Sequence, residues 1–326
     1  MAIERSGKGI GSAVHHMFVI WSVPLRAGKT HSYRWGDAMK AGPGEHHLTV
    51  LGAGVMGSSI TAMAVGHGVS VLLIDVDETV LNRARNQIDQ QLRHAQLLSA
   101  LPSDRSPGEL RTSTSVDSAA GTTAIIEAVT ENFDLKHKVL AEVSAAVLPG
   151  TPLISNTSGI PIDELAASLP RPEDLLGAHF MNPAYLIRMV EVVRGLRTAT
   201  ATMAAVEELL TVMDRQAVVV HDAPGFVTSR LLHPMINDAA RIVSQGIATA
   251  EAVDTLMQGC LGHPTGPLRT ADLIGLDNLV DSLAALHERT GEERYRPCEL
   301  LLEKVEKGLL GRKTGQGFYE YGKVLS

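Results

Sequence analysis

Three glycines and one aspartate stand at the spacing of a dinucleotide-binding turn. The apolar stretch 48–51 predicts a buried strand, and it runs directly into Gly52, Gly54 and Gly57. In such a turn the first glycine permits the tight bend, the second lets the backbone approach a pyrophosphate, and the third lets the next helix pack close to the strand. Asp75 follows 18 residues after Gly57, at the end of a second predicted strand, where a carboxylate can accept both ribose hydroxyls.

The helix that follows the turn supplies the rest of the predicted phosphate site. Val55 and Met56 are its first residues, and their backbone N–H groups and the helix dipole favour a bound anion. The carboxylate of Asp75 would repel a 2′-phosphate, so the sequence predicts NAD rather than NADP as cofactor. FAD proteins share the glycine pattern, but the downstream residues favour a nicotinamide cofactor.

The composition limits the classes of partner. The chain has 326 residues, 44 % of them apolar, which allows about two domains with sizeable cores. A formal net charge of −7 offers no basic surface for nucleic acid. Cys260 and Cys298 are the only cysteines, which excludes a disulfide framework and a cysteine-rich metal site and predicts a cytoplasmic location. No apolar run approaches about 18 residues, so we expect no membrane span, and we expect no bound metal.

The order of predicted elements indicates an α/β fold with a helical end. Short apolar strands alternate with amphipathic helices as far as residue 221, which predicts a Rossmann-type doubly wound sheet at 47–221 that binds NAD. After the break at 223–225, helical patterns predict an all-α C-terminal domain at 222–326 for substrate binding and dimerisation. The predicted strands are 48–51, 69–74, 123–129, 152–155, 175–180, 189–193 and 217–220. The predicted helices are 55–67, 78–101, 134–147, 162–169, 202–215, 226–245, 249–259, 275–290 and 297–308.

Residues 1–46 differ in character from the rest of the chain. They combine glycine, basic residues and histidine around one short apolar patch at 17–25, which imitates a signal peptide. That patch contains Ser22 and Pro24 and lacks a convincing cleavage site. We therefore expect a disordered extension, or a start codon placed upstream with Met39 as the true start.

Seven blocks beyond the glycine turn carry a recognisable pattern. They are SNTS at 155–158, GAHFMNP at 177–183, MVEVV at 189–193, DAPGFVTSR at 222–230, GHPTGP at 262–267, Asp272 with GLD at 275–277, and GRKTGQGFY at 311–319. In order and spacing the chain resembles the 3-hydroxyacyl-CoA dehydrogenase family over residues 47–321. The resemblance implies a reversible, NAD-dependent oxidation of a 3-hydroxyacyl thioester, such as 3-hydroxybutyryl-CoA, to the 3-oxoacyl form.

The chemistry of that reaction suits a histidine–glutamate pair. Oxidising a secondary alcohol requires a base for the hydroxyl proton, and histidine titrates near neutral pH. His179 ends one predicted strand and Glu191 lies in the next, so a turn through 182–183 can bring the side chains together. The resemblance implies that His179 is the base and that Glu191 orients it. A structural histidine is the alternative interpretation.

Further site residues are carried over from the resemblance. It implies that Ser158 hydrogen-bonds the reacting oxygen, although a helix-capping serine has the same sequence context. Asn156 and Asn182 are expected on loops near the nicotinamide. The remaining candidates are Glu131 and Lys136, which match the family's cofactor-contacting acid and lysine but also suit an ordinary helix start, and Lys313, which belongs either to the cofactor site or to a surface turn.

Two departures from the family leave the substrate open. Ser229 stands where the family commonly has an asparagine near the substrate oxygen, and the stretch 76–122 has no lysine, although Arg83, Arg85 and Arg93 can substitute. These departures motivate an alternative substrate, a short hydroxyacyl group on an acyl carrier protein, as in polyketide extender-unit biosynthesis. A sugar acid or other hydroxy acid is a third possibility, and a non-catalytic NAD-binding protein is an alternative of another class.

The C-terminal helices also indicate self-association. Their apolar stripes, at 231–236 and 273–279, require a cover, which either neighbouring helices or a second chain can provide. In the family this domain supplies a dimer interface, so the resemblance implies a homodimer.

Overall fold

The computed structural model describes residues 42–322. The signal-peptide-like patch at 17–25 and the alternative start at Met39 lie outside the described residues. A short 3-10 turn at Pro43–Glu45 precedes the first strand. Within the described chain, no helix is both long enough and apolar enough to cross a membrane.

Eight strands form one sheet in the order β3-β2-β1-β4-β5-β6-β7-β8. Strands β1 to β6 are parallel, whereas β7 pairs antiparallel with β6, and β8 runs parallel to β7. The strands are β1 (His47–Leu51), β2 (Ser70–Ile74), β3 (Leu110–Ser113), β4 (Ala124–Glu127), β5 (Leu153–Ser155), β6 (Leu175–Phe180), β7 (Met189–Arg194) and β8 (Gln216–His221). The strand order reverses between β1 and β4, and ligands of such sheets bind in the crevice at the carboxyl ends of strands at this point.

Helices cover both faces of the sheet. One apolar core joins the sheet to α1, α2 and α5, and a second joins the opposite face to α3 and α4. These helices are α1 (Val55–Gly66), α2 (Glu78–Leu97), α3 (Phe133–Ala146), α4 (Ile162–Ala166) and α5 (Thr200–Val212). Burial on both faces explains why the central strands read as continuous apolar runs.

The remainder of the described chain is helical and has its own core. Ile236, Leu268, Leu279 and Leu301 are among its fully buried side chains. The helices are α6 (Thr228–Ser244), α7 (Ala250–Leu261), α8 (Pro267–Ile274), α9 (Leu276–Thr290) and α10 (Glu299–Glu306). We call residues 228–306 the helical region. The predicted fold class, a Rossmann-type doubly wound sheet followed by an all-helical C-terminal part, is confirmed.

Two elements were not predicted from the sequence. Strand β3 has four residues, lies at the edge of the sheet and is largely solvent-accessible, so no apolar run marks it. Helix α8 begins at Pro267 directly after Gly266, a pair that reads as a loop although proline is well suited to the first turn of a helix. Helix α2 also ends at Leu97, earlier than predicted, and Ser99 follows with a φ of 53°.

Candidate active site

The glycine turn between β1 and α1 has two crowded positions and one open position. Gly52 has a φ of +95°, and a Cβ there would lie 2.7 Å from the carbonyl oxygen of Ala128. A Cβ on Gly57 would lie 1.8 Å from the carbonyl oxygen of Gly52, so only glycine permits this packing of helix on strand. Gly54 has nothing within 4 Å of its would-be Cβ. The open side of the turn therefore lies where the backbone would meet a pyrophosphate.

The start of α1 and the end of β2 complete this crevice. Gly54 is the N-cap residue of α1 and has no side chain, so no side-chain cap occupies the N–H groups of the first turn, at Val55 and Met56. The carboxylate of Asp75 accepts a hydrogen bond from the N–H of Ala53 at 2.8 Å. This bond holds Asp75 beside the turn, where it was predicted to meet the adenosine ribose. The glycine cradle, the free helix terminus and the carboxylate together fit NAD.

His179 and Glu191 are direct partners across β6 and β7. Their side chains are buried on the same face, and Nδ1 of His179 lies 3.1 Å from Oε2 of Glu191. The antiparallel pairing produces this contact, because residues opposite each other on antiparallel strands project to the same face. A neutral imidazole that donates from Nδ1 keeps Nε2 as its proton acceptor.

The Glu191 carboxylate is also bound to the start of α6. Its Oε1 accepts from the N–H groups of Val227 at 2.7 Å and Thr228 at 3.2 Å, and its Oε2 accepts from the Thr228 hydroxyl at 2.6 Å. Burial alone would raise the pKa of Glu191, but the hydrogen bonds from His179, Thr228 and Val227 outweigh it and lower the pKa to about 2. Glu191 is therefore an anion at neutral pH.

Thr228 is a site residue that the sequence analysis missed. Its hydroxyl contacts Glu191 and lies 3.2 Å from Nδ1 of His179. Phe226, at a φ of 50°, is part of the turn that brings the start of α6 to this point, and its ring packs near the ring of His179. The sequence signal for Thr228 is its place in the PGFVTSR block at 224–230, directly before Ser229.

Glu131 supports the loop that carries Ser158. Its Oε1 accepts from the Thr157 hydroxyl at 2.6 Å and from the N–H of Ser158 at 2.8 Å. Asn156 lies at the start of the same loop, and its side-chain oxygen accepts from the N–H of Phe180 at 3.0 Å. These bonds join the loop after β5 to the end of β6, next to His179. The Ser158 hydroxyl is not engaged in any of them.

Lys136 lies in a buried group of charges beside Glu131. Its ammonium donates to Glu127 at 2.8 Å, to Glu131 at 3.2 Å and to the carbonyl of Val129 at 3.2 Å, and its side chain is only 1 % exposed. An ammonium has three protons, so these bonds use all of them. Lys136 therefore supports Glu131, and its contact with a cofactor stays a prediction. Glu127, a fully buried acid that sequence reasoning overlooked, completes this group.

The other predicted residues occupy three separate places. Ser229 is buried at the second position of α6, beside Thr228. Asn182 is exposed in the turn after β6, before a cis peptide bond to Pro183. Lys313 pairs with Asp277 at 2.5 Å, at the start of α9. This pair lies at the helical region, and an approach of Lys313 to the cofactor stays a prediction.

Known families and structures match nearly all of the described chain. The model of the 3-hydroxyacyl-CoA dehydrogenase NAD binding domain matches residues 47–223, and that of the 3-hydroxyacyl-CoA dehydrogenase C-terminal domain matches residues 225–321. A protein of Bacillus subtilis named probable 3-hydroxybutyryl-CoA dehydrogenase is 39 % identical over 286 residues, which cover 86 % of this chain and 98 % of the relative.

Two crystal structures are similar over the same part. FadB2 of Mycobacterium tuberculosis aligns with a TM-score of 0.79 at 38 % identity, covering 84 % of this chain and 98 % of that one. The (S)-3-hydroxybutyryl-CoA dehydrogenase PaaH1 of Ralstonia eutropha aligns with a TM-score of 0.76 at 35 % identity, covering 85 % and 99 %. The chain therefore belongs to the 3-hydroxyacyl-CoA dehydrogenase family, as an NAD-dependent oxidoreductase that acts on CH–OH groups.

Proposed function

We propose that this chain interconverts a 3-hydroxyacyl-CoA, such as 3-hydroxybutyryl-CoA, and the 3-oxoacyl-CoA, with His179 and Glu191 as its proton-transfer dyad. The observation that carries the proposal is the 3.1 Å contact of His179 Nδ1 with a carboxylate that is itself held by the start of α6. That contact leaves Nε2 as the only free proton acceptor of the ring. The names of the relatives supply the substrate class.

The dyad performs both directions of the reaction. In oxidation, Nε2 of His179 accepts the proton of the substrate hydroxyl while hydride leaves the same carbon, which becomes a carbonyl. NAD, when bound, supplies the hydride acceptor. Glu191 fixes the tautomer and stabilises the imidazolium, because its low pKa keeps it ionised throughout. In reduction His179 returns the proton to the carbonyl oxygen.

The two serines and the loop residues complete the proposed site. Ser158 and Ser229 bind the reacting oxygen. The side chain of Ser229 is shorter than the asparagine that the family commonly has there, so it reaches the oxygen directly or through a water. Asn156 and Asn182 face the nicotinamide half of the cofactor, whereas Glu131 positions the Ser158 loop. Gly52, Gly54, Val55, Met56, Gly57 and Asp75 hold the adenosine diphosphate half.

A second candidate substrate is the same acyl group on an acyl carrier protein. Helix α2 carries arginines and no lysine, and Arg85 is already engaged with Thr112 of β3. This leaves fewer free cations for the nucleotide end of coenzyme A. A phosphopantetheine arm on a carrier protein lacks that nucleotide end, so it requires fewer free cations on this surface.

NADH oxidation with two acceptors separates the candidates. NADH oxidation is followed at 340 nm with acetoacetyl-CoA and with the acetoacetyl carrier protein. Three proteins are compared: the native chain, His179→Ala, and the control His137→Ala, which removes an imidazole of α3. We expect turnover of acetoacetyl-CoA that is lost in H179A and kept in H137A. Turnover of the carrier protein alone would favour the second candidate. Absence of both would refute the thioester function and direct the search to hydroxy acids or a non-catalytic role.

We also propose that the chain forms a homodimer through α6 and α7. A shallow groove of about 420 Å³ lies between these helices, with arginines at its rim. Exposed apolar groups line or flank it, which is unusual for a surface that faces only water. Leu231, Ile242 and Leu256 are exposed, and the half-buried Met235 and Met257 also line the groove.

A further inference from the structure

His233, one of three buried histidines in the described chain, lies on α6 one turn beyond Ser229. Its ring is 6 % exposed, and its Nδ1 lies 2.8 Å from the hydroxyl of Ser282 on α9. The other nitrogen, Nε2, has no hydrogen-bond partner within residues 42–322, although solvent still reaches it. Because solvent reaches this nitrogen and no described residue bonds to it, it is available to a ligand or a water.

Helix geometry places His233 on the same face of α6 as Ser229. Residues four apart lie on one face of a helix, and both side chains are buried. Under the proposed function, Ser229 binds the reacting oxygen, so this face of α6 borders the substrate. His233 then lies one helical turn further along the same face.

The ring of His233 is neutral at physiological pH. Burial lowers its pKa to about 4, and the charge on protonated His179 acts in the same direction. A neutral imidazole offers a hydrogen bond but no positive charge. It therefore suits a hydroxyl better than a carboxylate.

Asn237, the next residue on this face, shows what a purely structural side chain does here. Its amide donates to the carbonyls of Arg294 and Arg296, and its oxygen accepts from the N–H of Cys298 at 2.9 Å. Every polar atom of Asn237 is thus used inside the helical region. His233 uses one nitrogen in this way, through Ser282, and leaves the other free.

We propose that His233, oriented by Ser282 and flanked by Ser229, binds a hydroxyl on a carbon of the acyl group next to the reacting carbon. The proposal rests on the hydroxyacyl thioester function and adds its substrate class, a dihydroxyacyl thioester. Nε2 forms the hydrogen bond to the extra hydroxyl, while Ser229 keeps its proposed place at the reacting oxygen. His233 is then a specificity-determining residue and takes no part in proton transfer.

The test compares substrates within each variant. The ratio of kcat/KM for 3,4-dihydroxybutyryl-CoA or 2,3-dihydroxybutyryl-CoA to that for 3-hydroxybutyryl-CoA is measured in the native chain and in three variants. We expect the native chain to prefer one dihydroxy substrate by roughly 10- to 100-fold, the effect of one buried hydrogen bond. His233→Leu loses this preference. His233→Gln keeps most of it, because its amide reaches the place of Nε2, whereas His233→Asn reaches only the place of Nδ1 and loses it.

Three outcomes would overturn the inference. Equal ratios in the native chain and H233L, with clear turnover of 3-hydroxybutyryl-CoA, would leave the proposed function intact and refute the hydroxyl subsite. A native preference for 3-hydroxyglutaryl-CoA over both dihydroxy substrates would assign the subsite to a carboxylate. Turnover of none of these substrates would refute the proposed function, and the subsite with it. If a variant fails to fold, a native chain with no preference for either dihydroxy substrate still refutes the hydroxyl subsite.

Discussion

Glu191 accepts hydrogen bonds from three residues, so its charge has both an electrostatic and a positioning effect. Glu191→Gln removes the charge and replaces one acceptor oxygen by a donor, which sets an N–H group against a neighbouring donor. We expect kcat to fall roughly 10⁴-fold with KM little changed, as when the orienting carboxylate of a catalytic histidine is neutralised. Steady-state kinetics with acetoacetyl-CoA measures this, with Glu142→Gln on the exposed face of α3 as matched control. A kcat like that of the control would remove Glu191 from the mechanism.

The low pKa of Glu191 predicts a pH-dependent contribution to stability. The folded state holds the pKa at about 2, below its ordinary value of 4.5, so folding favours the ionised form. This contribution is complete above pH 4.5 and is lost as the pH falls towards 2. The difference in free energy of unfolding between the native chain and E191Q should therefore shrink from pH 7 to pH 3. Urea titrations at several pH values measure it, and a constant difference would contradict the assigned cause.

The contact between His179 and Glu191 was predictable because chemistry and strand pairing agree there. His179 and Glu191 stand in adjacent apolar strands, and an antiparallel pairing brings them into register. Thr228 and Lys136 were not predictable in the same way. Their roles depend on contacts with Glu191 and Glu127 that only the folded chain provides.

At the scale of elements, two glycines of the same turn have different roles: Gly57 is needed for helix packing, and Gly54 for cofactor binding. Gly57→Ala places a Cβ 1.8 Å from the backbone oxygen of Gly52, so α1 must move away from β1. Gly54→Ala meets nothing within 4 Å, and its φ of −71° suits alanine. We expect G57A to lower Tm by several degrees or more, and G54A to keep Tm but weaken NAD binding at least ~10-fold, because the methyl group occupies the pyrophosphate side.

Thermal unfolding and calorimetric titration with NAD measure the two effects. The pair serves as its own control, since the substitutions are chemically identical and three residues apart. Unchanged NAD affinity in G54A would show that the pyrophosphate does not lie against this glycine. A native-like Tm in G57A would show that the helix can shift without cost.

Element boundaries follow from sequence where an apolar period or a cap marks them. The central strands are buried on both faces and were readily located. Strand β3 has only four residues at a solvated edge, and its pairing with β2 determines its conformation. Helix α8 depends on Asp254, whose carboxylate accepts from the N–H groups of Leu268 and Arg269 in its first turn. Such a remote cap leaves no local signal.

At the scale of the molecule, the dyad connects the sheet to the helical region. Glu191 belongs to β7, yet two of its hydrogen bonds come from backbone N–H groups at 227–228. Arg289 of α9 adds a second link to Glu164 of α4 at 3.1 Å. The position of α6 relative to the sheet thus determines the position of the Glu191 carboxylate, so whatever covers the outer face of α6 should also affect the proposed active site.

The proposed homodimer would cover this face of α6, and one introduced charge should dissociate the dimer. Leu231 is 65 % exposed on α6 within the groove, so Leu231→Asp would bury a carboxylate among apolar groups in a dimer but cost little in a monomer. Leu196, 94 % exposed after β7, gives a matched control in Leu196→Asp. Light scattering should give twice the chain mass of 34.8 kDa for the native chain and L196D, and the single mass for L231D. A native chain that is monomeric at micromolar concentration would refute the dimer. Lower kcat in monomeric L231D would show that the cover on α6 also holds Glu191 in place.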